Sequence, residues 1–190
     1  MSRPLAVAPP TLIGIDGGLA TTGVAVVQLY GGAPIVRRLD VFETEKSDKK
    51  LNVRGSEDTV SRARVLLENL EGVYEECGGD VLCMETLSLP RNAGSSAKIG
   101  VALGVVVAFA QRHGMPIVQA SPVLVKKAVC DKGTASKEEV IAAVRRLHPE
   151  ADSRLDEFVK TNREHAADAV AVVRACFDSE VVRLLRGRAA

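Results

Sequence analysis

The sequence has no Trp and only four Phe and two Tyr among its 190 residues. Aliphatic side chains must therefore fill the core, and stacking on nucleobases has few platforms. Net charge is nearly absent as well: 25 Lys and Arg stand against 24 Asp and Glu, for a formal charge of +1. That balance gives no global pull on a polyanion, so any nucleic-acid surface has to be local. Cys77, Cys83, Cys130 and Cys176 form no C-x-x-C pair, which argues against a zinc ribbon or a dithiol redox motif and fits a reduced, cytoplasmic setting. Met1 to Pro10 carries one Arg and two adjacent prolines without an apolar run of signal-peptide length. The one stretch that invites a membrane reading, Ile99 to Ala110, is too short to cross a bilayer. There is no internal repeat and no low-complexity tract. What remains is ordinary for a soluble globular chain, 46% apolar and 26% charged, at a length that suits a single domain.

Leu12 to Asp16 reads as a buried strand ending on an acid, and Gly23 to Val27, after the Gly17-Gly18 turn, as its hairpin partner. Ile35 to Phe42 continues the meander beyond the turn at Gly31 to Pro34. Thr44 to Glu57 is polar, without periodicity, and reads as a mobile surface loop. Asp58 then caps a helix in which Val60, Ala63, Leu67, Leu70 and Tyr74 recur at helical spacing up to Gly78-Gly79. Val81 to Met84 is a short apolar run that ends on a second acid, Glu85. Ser95 or Ser96 caps a small-residue helix to about His113, whose Gly100 and Gly104 permit close backbone approach, and Gly114 ends it before the strand Ile117 to Gln119. Ser136 to Glu139 is a capping box in front of Ile141 to Leu147, and Glu164 to Phe177 is a final amphipathic helix. The fold class is α/β, a mixed sheet with helices on both faces. One domain spans 1–190, with its core at about 12–176, the polar loop at 44–57 and a basic tail at 178–190. In that tail Arg183, Arg186 and Arg188 read as a solvated face.

Cutting a phosphodiester with two divalent ions takes several carboxylates or imidazoles converging on metals ~3.5–4 Å apart. Asp16 and Glu85 each close an apolar strand, where a lone carboxylate is unfavourable unless it is paired or holds a metal. His165 and Asp168, three apart on the last helix, share a face with Cβ atoms roughly 5–6 Å apart. Each has a plainer reading: Asp16 as a turn former, Glu85 as a cap, His165 as a core histidine, Asp168 as a surface acid. Asp168, however, lies inside the nearly unbroken apolar run Ala166 to Val173, where an unpaired carboxylate is strongly disfavoured.

Four stretches in collinear order, from about Leu12 to Cys176, resemble the RuvC family of Holliday junction resolvases. Ile13 to Gly23 is similar to the family's first-strand motif, with Gly17 where Pro is usual. Met84-Glu85, followed by Asn92 and by Lys98-Ile99-Gly100 to Gly104, looks like the second acid and its helix. Ser121 to Val129, leading to Gly133, Ala135 and Lys137 to Val140, is the most specific stretch. Glu164 to Ala169 is similar to the last motif, in which relatives carry Asp or His at the place of His165. The pattern around Ser88 to Ser96 is closer to phage-type members. The resemblance implies a ribonuclease-H-like fold, a homodimer, a magnesium cofactor with manganese tolerated, and four-way DNA junctions as substrate. It implies that Asp16, Glu85, His165 and Asp168 are the catalytic metal ligands and that Lys126 and Lys137 act near the cleaved phosphate. Lys127, Arg91, Asn92 and Lys98 join these two lysines as DNA contacts, with Lys132 secondary. Many relatives carry an aromatic wedge where Ser88 stands, and Leu87, Leu89 and Pro90 are the only nearby apolar substitutes, so broad substrate use, three-way branches included, is expected.

The expected reaction is in-line attack of an activated water on a junction phosphate, leaving 5′-phosphate and 3′-hydroxyl ends. Asp16 is expected to bridge both ions, Glu85 to complete one site, and His165 with Asp168 the other. Two alternatives stand beside it. An actin-like ATPase also reads Gly-Ile-Asp-x-Gly before a Thr pair, as at Thr21-Thr22, but 190 residues leave no room for its second domain. A non-catalytic protein that binds branched DNA as a scaffold is the other, and acids at all four expected positions argue against it. Nothing in the sequence speaks to a branch-migration motor as a partner.

Overall fold

A computed structural model describes residues 8–47, 54–86 and 92–189. Thr11–Asp16 (β1) and Thr21–Tyr30 (β2) are rich in β-branched and aliphatic residues, the composition of strands covered on both faces. They pair antiparallel with Asp16 opposite Gly23, and Ala33–Glu43 (β3) completes the meander at one edge. On its other side β1 takes Val81–Glu85 (β4) in parallel, and Ile117–Ala120 (β5) lies parallel beyond that. The sheet order is β3-β2-β1-β4-β5. The mixed sheet expected from the sequence is therefore present.

Strand alternation divides the core in two. Leu12, Ala25, Val27, Val81 and Cys83 face one layer, built by Pro122–Cys130 (α3), Lys137–Leu147 (α4), the short Asp152–Asp156 (α5) and Lys160–Cys176 (α6). Ile13, Ile15, Val24, Val26, Leu82 and Met84 face the other layer, Gly55–Cys77 (α1) and Ala93–Arg112 (α2). Glu180–Ala189 (α7) ends the chain on the first layer.

Several local expectations shift. The helix read as capped by Asp58 begins at Gly55, because the Glu57 carboxylate accepts from the Arg54 backbone N–H at 3.2 Å, while Asp58 accepts from Ser47 N at 2.6 Å. Its buried stripe is Arg62, Leu66, Leu70 and Val73, and Val60, read as apolar-face, is 54% exposed. Of the loop read at 44–57, residues 48–53 lie outside the described residues. Asn92, rather than Ser95 or Ser96, caps α2, its Oδ1 accepting from Ser95 N at 3.1 Å. The tail read as a solvated face is helical, with Val182 fully buried and the Arg186 guanidinium 4.2 Å above the Phe177 ring.

The apolar stretch read at Ile99 to Ala110 belongs to a longer helix. α2 has 20 residues and a mean hydropathy of 1.7, long and apolar enough by itself to cross a membrane, with 22% of that window buried. Its inner stripe, Ala102, Val106, Phe109 and Ala110, packs in the second core. Among the described residues Gly100 and Gly104 approach nothing: a Cβ at either would have no neighbour within 4 Å.

The close backbone approach occurs elsewhere. A Cβ on Gly23 would stand 2.1 Å from the His165 carbonyl oxygen, and one on Gly14 would stand 2.3 Å from that of Ala169. α6 thus rests on bare backbone of β1 and β2. Gly23→Ala is expected to destabilise the fold by about 2 kcal/mol through overpacking. Gly72→Ala, in α1 with open space around its Cβ, is expected to stabilise by up to ~1 kcal/mol. Urea unfolding of the two variants checks both signs.

Candidate active site

The register of β1 and β4 sets Ile15 opposite Met84, so the next residues, Asp16 and Glu85, end neighbouring parallel strands side by side. By alternation both lie on the face covered by α6. The glycine contacts seat that helix close enough for His165 and Asp168, one turn apart, to reach the same end of the sheet. His165 Nδ1 lies 2.6 Å from Asp16 Oδ2. All four residues are half-buried.

The electrostatics show a cluster short of positive charge. Burial, then the charges of Asp16 and Asp168, push the Glu85 carboxyl up to about 7, with Lys126 opposing. Burial and then Asp16 push Asp168 up to about 6, with Lys137 and His165 opposing. The hydrogen bond with Asp16 raises the His165 imidazole above its ordinary value, against the lowering effect of its burial.

The basic residues approach from one layer. Lys126, half-buried on α3, acts on Glu85, and Ser121 caps that helix by accepting from Leu124 N at 3.4 Å. Lys137 opens α4 behind the expected Ser136 capping box, where Glu139 N donates to Ser136 Oγ at 3.2 Å. Its Nζ is 2.5 Å from Glu164 Oε2, an ion pair that raises the lysine pKa. Lys127 is exposed, and Lys132 pairs with Glu139 away from the acids. Asn92 has its side chain engaged in capping α2, and Lys98 is exposed on that helix. Arg91, with Leu87, Ser88, Leu89 and Pro90, lies outside the described residues.

Among the described residues, no three His, Cys, Asp or Glu side chains enclose an ion as they are placed, and Asp16 is hydrogen-bonded to His165. The donor set nonetheless fits a hard divalent cation. Three carboxylates share one half-buried place, and two of them have their pKa raised by burial and then by repulsion, which a bound cation would relieve. With Nδ1 on Asp16, His165 has Nε2 available as a donor.

Residues that sequence patterns did not single out also reach this end of the molecule. Arg62 and Lys46 line a groove that His165 borders. Arg62 had a legible signal, since it occupies a buried-stripe position of α1 where an apolar residue would be ordinary. Lys46 had none.

The family model for crossover junction endodeoxyribonuclease RuvC matches residues 12–175. A protein of that name from Trichlorobacter lovleyi is 29% identical over 178 residues, covering 94% of this chain and 90% of its own. Another from Pelodictyon phaeoclathratiforme is 30% identical over 136 residues, covering 72% of this chain and 66% of its own. Among solved structures, Thermus thermophilus RuvC in complex with a Holliday junction substrate superposes with a TM-score of 0.68 at 25% identity, over 87% of this chain and 92% of that one. The yeast mitochondrial Holliday junction resolvase shares the fold at a TM-score of 0.64 and 16% identity, over 96% of this chain and 83% of its own. With a match that runs from β1 through α6 and an acid cluster at the end of a ribonuclease-H-like sheet, the chain belongs to the RuvC family of crossover junction endodeoxyribonucleases.

Proposed function

We propose that this protein is a structure-selective endonuclease that resolves four-way DNA junctions, using magnesium and accepting manganese. The observation that carries the reading is the convergence of Asp16, Glu85, His165 and Asp168 at one sheet end, where burial and mutual repulsion raise the pKa of the Glu85 and Asp168 carboxyls. Asp16, Glu85 and Asp168 are the residues that would hold the metal, with His165 Nε2 as a further donor. A divalent ion there supplies Lewis acidity, easing deprotonation of the attacking water and offsetting charge on the phosphate.

The chain's own groups do the rest. Lys126 and Lys137 bind the non-bridging phosphate oxygens and offset the charge that develops there, for which Lys137 must leave Glu164. The His165–Asp16 hydrogen bond fixes which ring nitrogen faces the reaction and keeps Asp16 oriented. In-line displacement leaves a 5′-phosphate and a 3′-hydroxyl. One ribonuclease-H-like domain carries this machinery, and a two-fold dimer sets one site on each of two opposed strands. The outer face of α2 supports such a dimer, since Gly100, Gly104 and Ala108 are exposed beside Val107 and leave a flat apolar surface.

On a synthetic four-way junction, wild type is expected to cut with magnesium, at least as well with manganese, and not with chelator. Asp16→Asn, Glu85→Gln and Asp168→Asn should each lower the rate by about a thousandfold or more while junction binding persists. Wild-type rates in any of the three, or a wild type that binds junctions without cutting them, would contradict the assignment.

Stability provides a second test. Because the folded pKa of Asp168 is raised to about 6, the fold loses stability as pH rises from the unfolded value of ~4 through 6, and stays lower above it. Asp168→Asn should therefore stabilise the metal-free protein at pH 8 by about 1–2 kcal/mol, with no gain below pH ~4. Manganese should raise the melting temperature of wild type more than that of the variant. Thermal unfolding across pH, with and without the ion, checks this.

A further inference from the structure

We infer that a groove between α1, α2 and the segment after β3 binds the sugar-phosphate backbone of the DNA strand that passes through the acid cluster, in addition to the contacts of Lys126 and Lys137. The groove has a volume of about 480 Å³, and His165 is among the residues that line it. Leu19 and Ile99 contribute apolar lining, and Lys46, Arg62 and Lys98 contribute cationic lining. Apolar lining beside exposed lysines suits deoxyribose against the apolar side chains and phosphates against Lys46 and Lys98.

The site is held in place by its surroundings. Thr44 N donates to Ala20 O at 2.9 Å, and the Thr44 hydroxyl donates to Leu19 O, so the segment carrying Lys46 is tied to the turn that follows Asp16. Arg62 Nε donates to that same hydroxyl at 2.8 Å, and Asp58, its ion-pair partner at 3.7 Å, accepts from Ser47 N at 2.6 Å. Arg62 is only 5% exposed, and a charge so placed persists when packing and hydrogen bonds fix it. With Asp58 as its partner, Arg62 anchors the groove wall, and the exposed charge of the groove comes from Lys46 and Lys98. Lys46 and Lys98 are exposed, and neither forms an ion pair among the described residues.

The arrangement also gives the cleft a second cationic wall. Lys126 and Lys137 come from α3 and α4, on the α6 side of the sheet, whereas Arg62 and Lys98 come from α1 and α2, on the opposite side. The acids lie at the sheet end between these layers. In a chain whose net charge is +1, two local groups of cations flanking the acids are what can direct a polyanion across them.

This inference rests on the nuclease reading above, and the experiment separates the two. Junction affinity is measured without divalent metal across a salt series, for wild type and for the double variant Lys46→Ala with Lys98→Ala. Both lysines are exposed, so the double variant should melt like wild type. The slope of log affinity against log salt should become shallower by about 2, close to 0.9 for each phosphate contact removed, with similar weakening on junctions of different sequence. Lys98→Glu should weaken binding further than Lys98→Ala. An unchanged slope in the double variant, with wild type binding and cutting junctions, overturns the groove and leaves the nuclease reading intact. A wild type that neither binds nor cuts junctions overturns both.

Discussion

Asp16, Glu85 and Asp168 repel one another in a half-buried place where water screens them poorly, and the fold nevertheless drives them together. The driving contact is apolar and steric. α6 buries Ala166, Ala167, Ala169, Val170 and Val173 against the sheet, and Gly14 and Gly23 let it sit directly on the strand backbones. Each turn of that helix toward the sheet also carries His165 and Asp168 toward Asp16. Hydrophobic burial thus supports an electrostatic cost that only a proton or a cation can remove. His165 offsets part of that cost by its hydrogen bond to Asp16.

The positive groups are placed by the same layered logic. Lys126 and Lys137 stand where helices of one layer begin or face the sheet end, and Arg62 and Lys98 belong to helices of the other. Lys137 is held by Glu164, the residue next to His165, so the lysine waits beside the acids without pairing with them. A phosphate arriving there competes with a carboxylate already in place, and the geometry of the lysine is set in advance of the substrate.

Much of this was legible in the sequence because the relevant signals are local or periodic. An apolar strand ending on an acid marks Asp16 and Glu85, and an acid inside an alanine and valine run marks Asp168, since burial of an unpaired carboxylate is disfavoured on any face. The Ser136 capping box fixed the start of α4 to the residue. Features that depend on tertiary contacts were not legible. The pairing of Lys137 with Glu164 spans 27 positions, and the support of Lys46 by Arg62 requires knowing that the post-β3 segment folds back on α1. The apolar stripe of α1 is wide enough to be read one position out of phase, which is why Val60 was taken for a core residue and Arg62 was missed. The 178–190 tail, helical as α7, was read as a solvated face because its arginines outnumber its anchors, although Val182 and the stacking of Arg186 on Phe177 suffice to dock it. Gly100 and Gly104 were read as points of close backbone approach, but a Cβ at either meets nothing within 4 Å among the described residues, and the close approaches fall at Gly14 and Gly23.

The central claim, that the carboxylates at the sheet end form one divalent-cation site, is tested most directly by a crystal structure grown with manganese and phased to locate the ion by its anomalous scattering. The expected result is anomalous density within coordination reach of Asp16, Glu85 and Asp168. Density absent from that cluster, in a preparation that cuts four-way junctions with manganese, would contradict it.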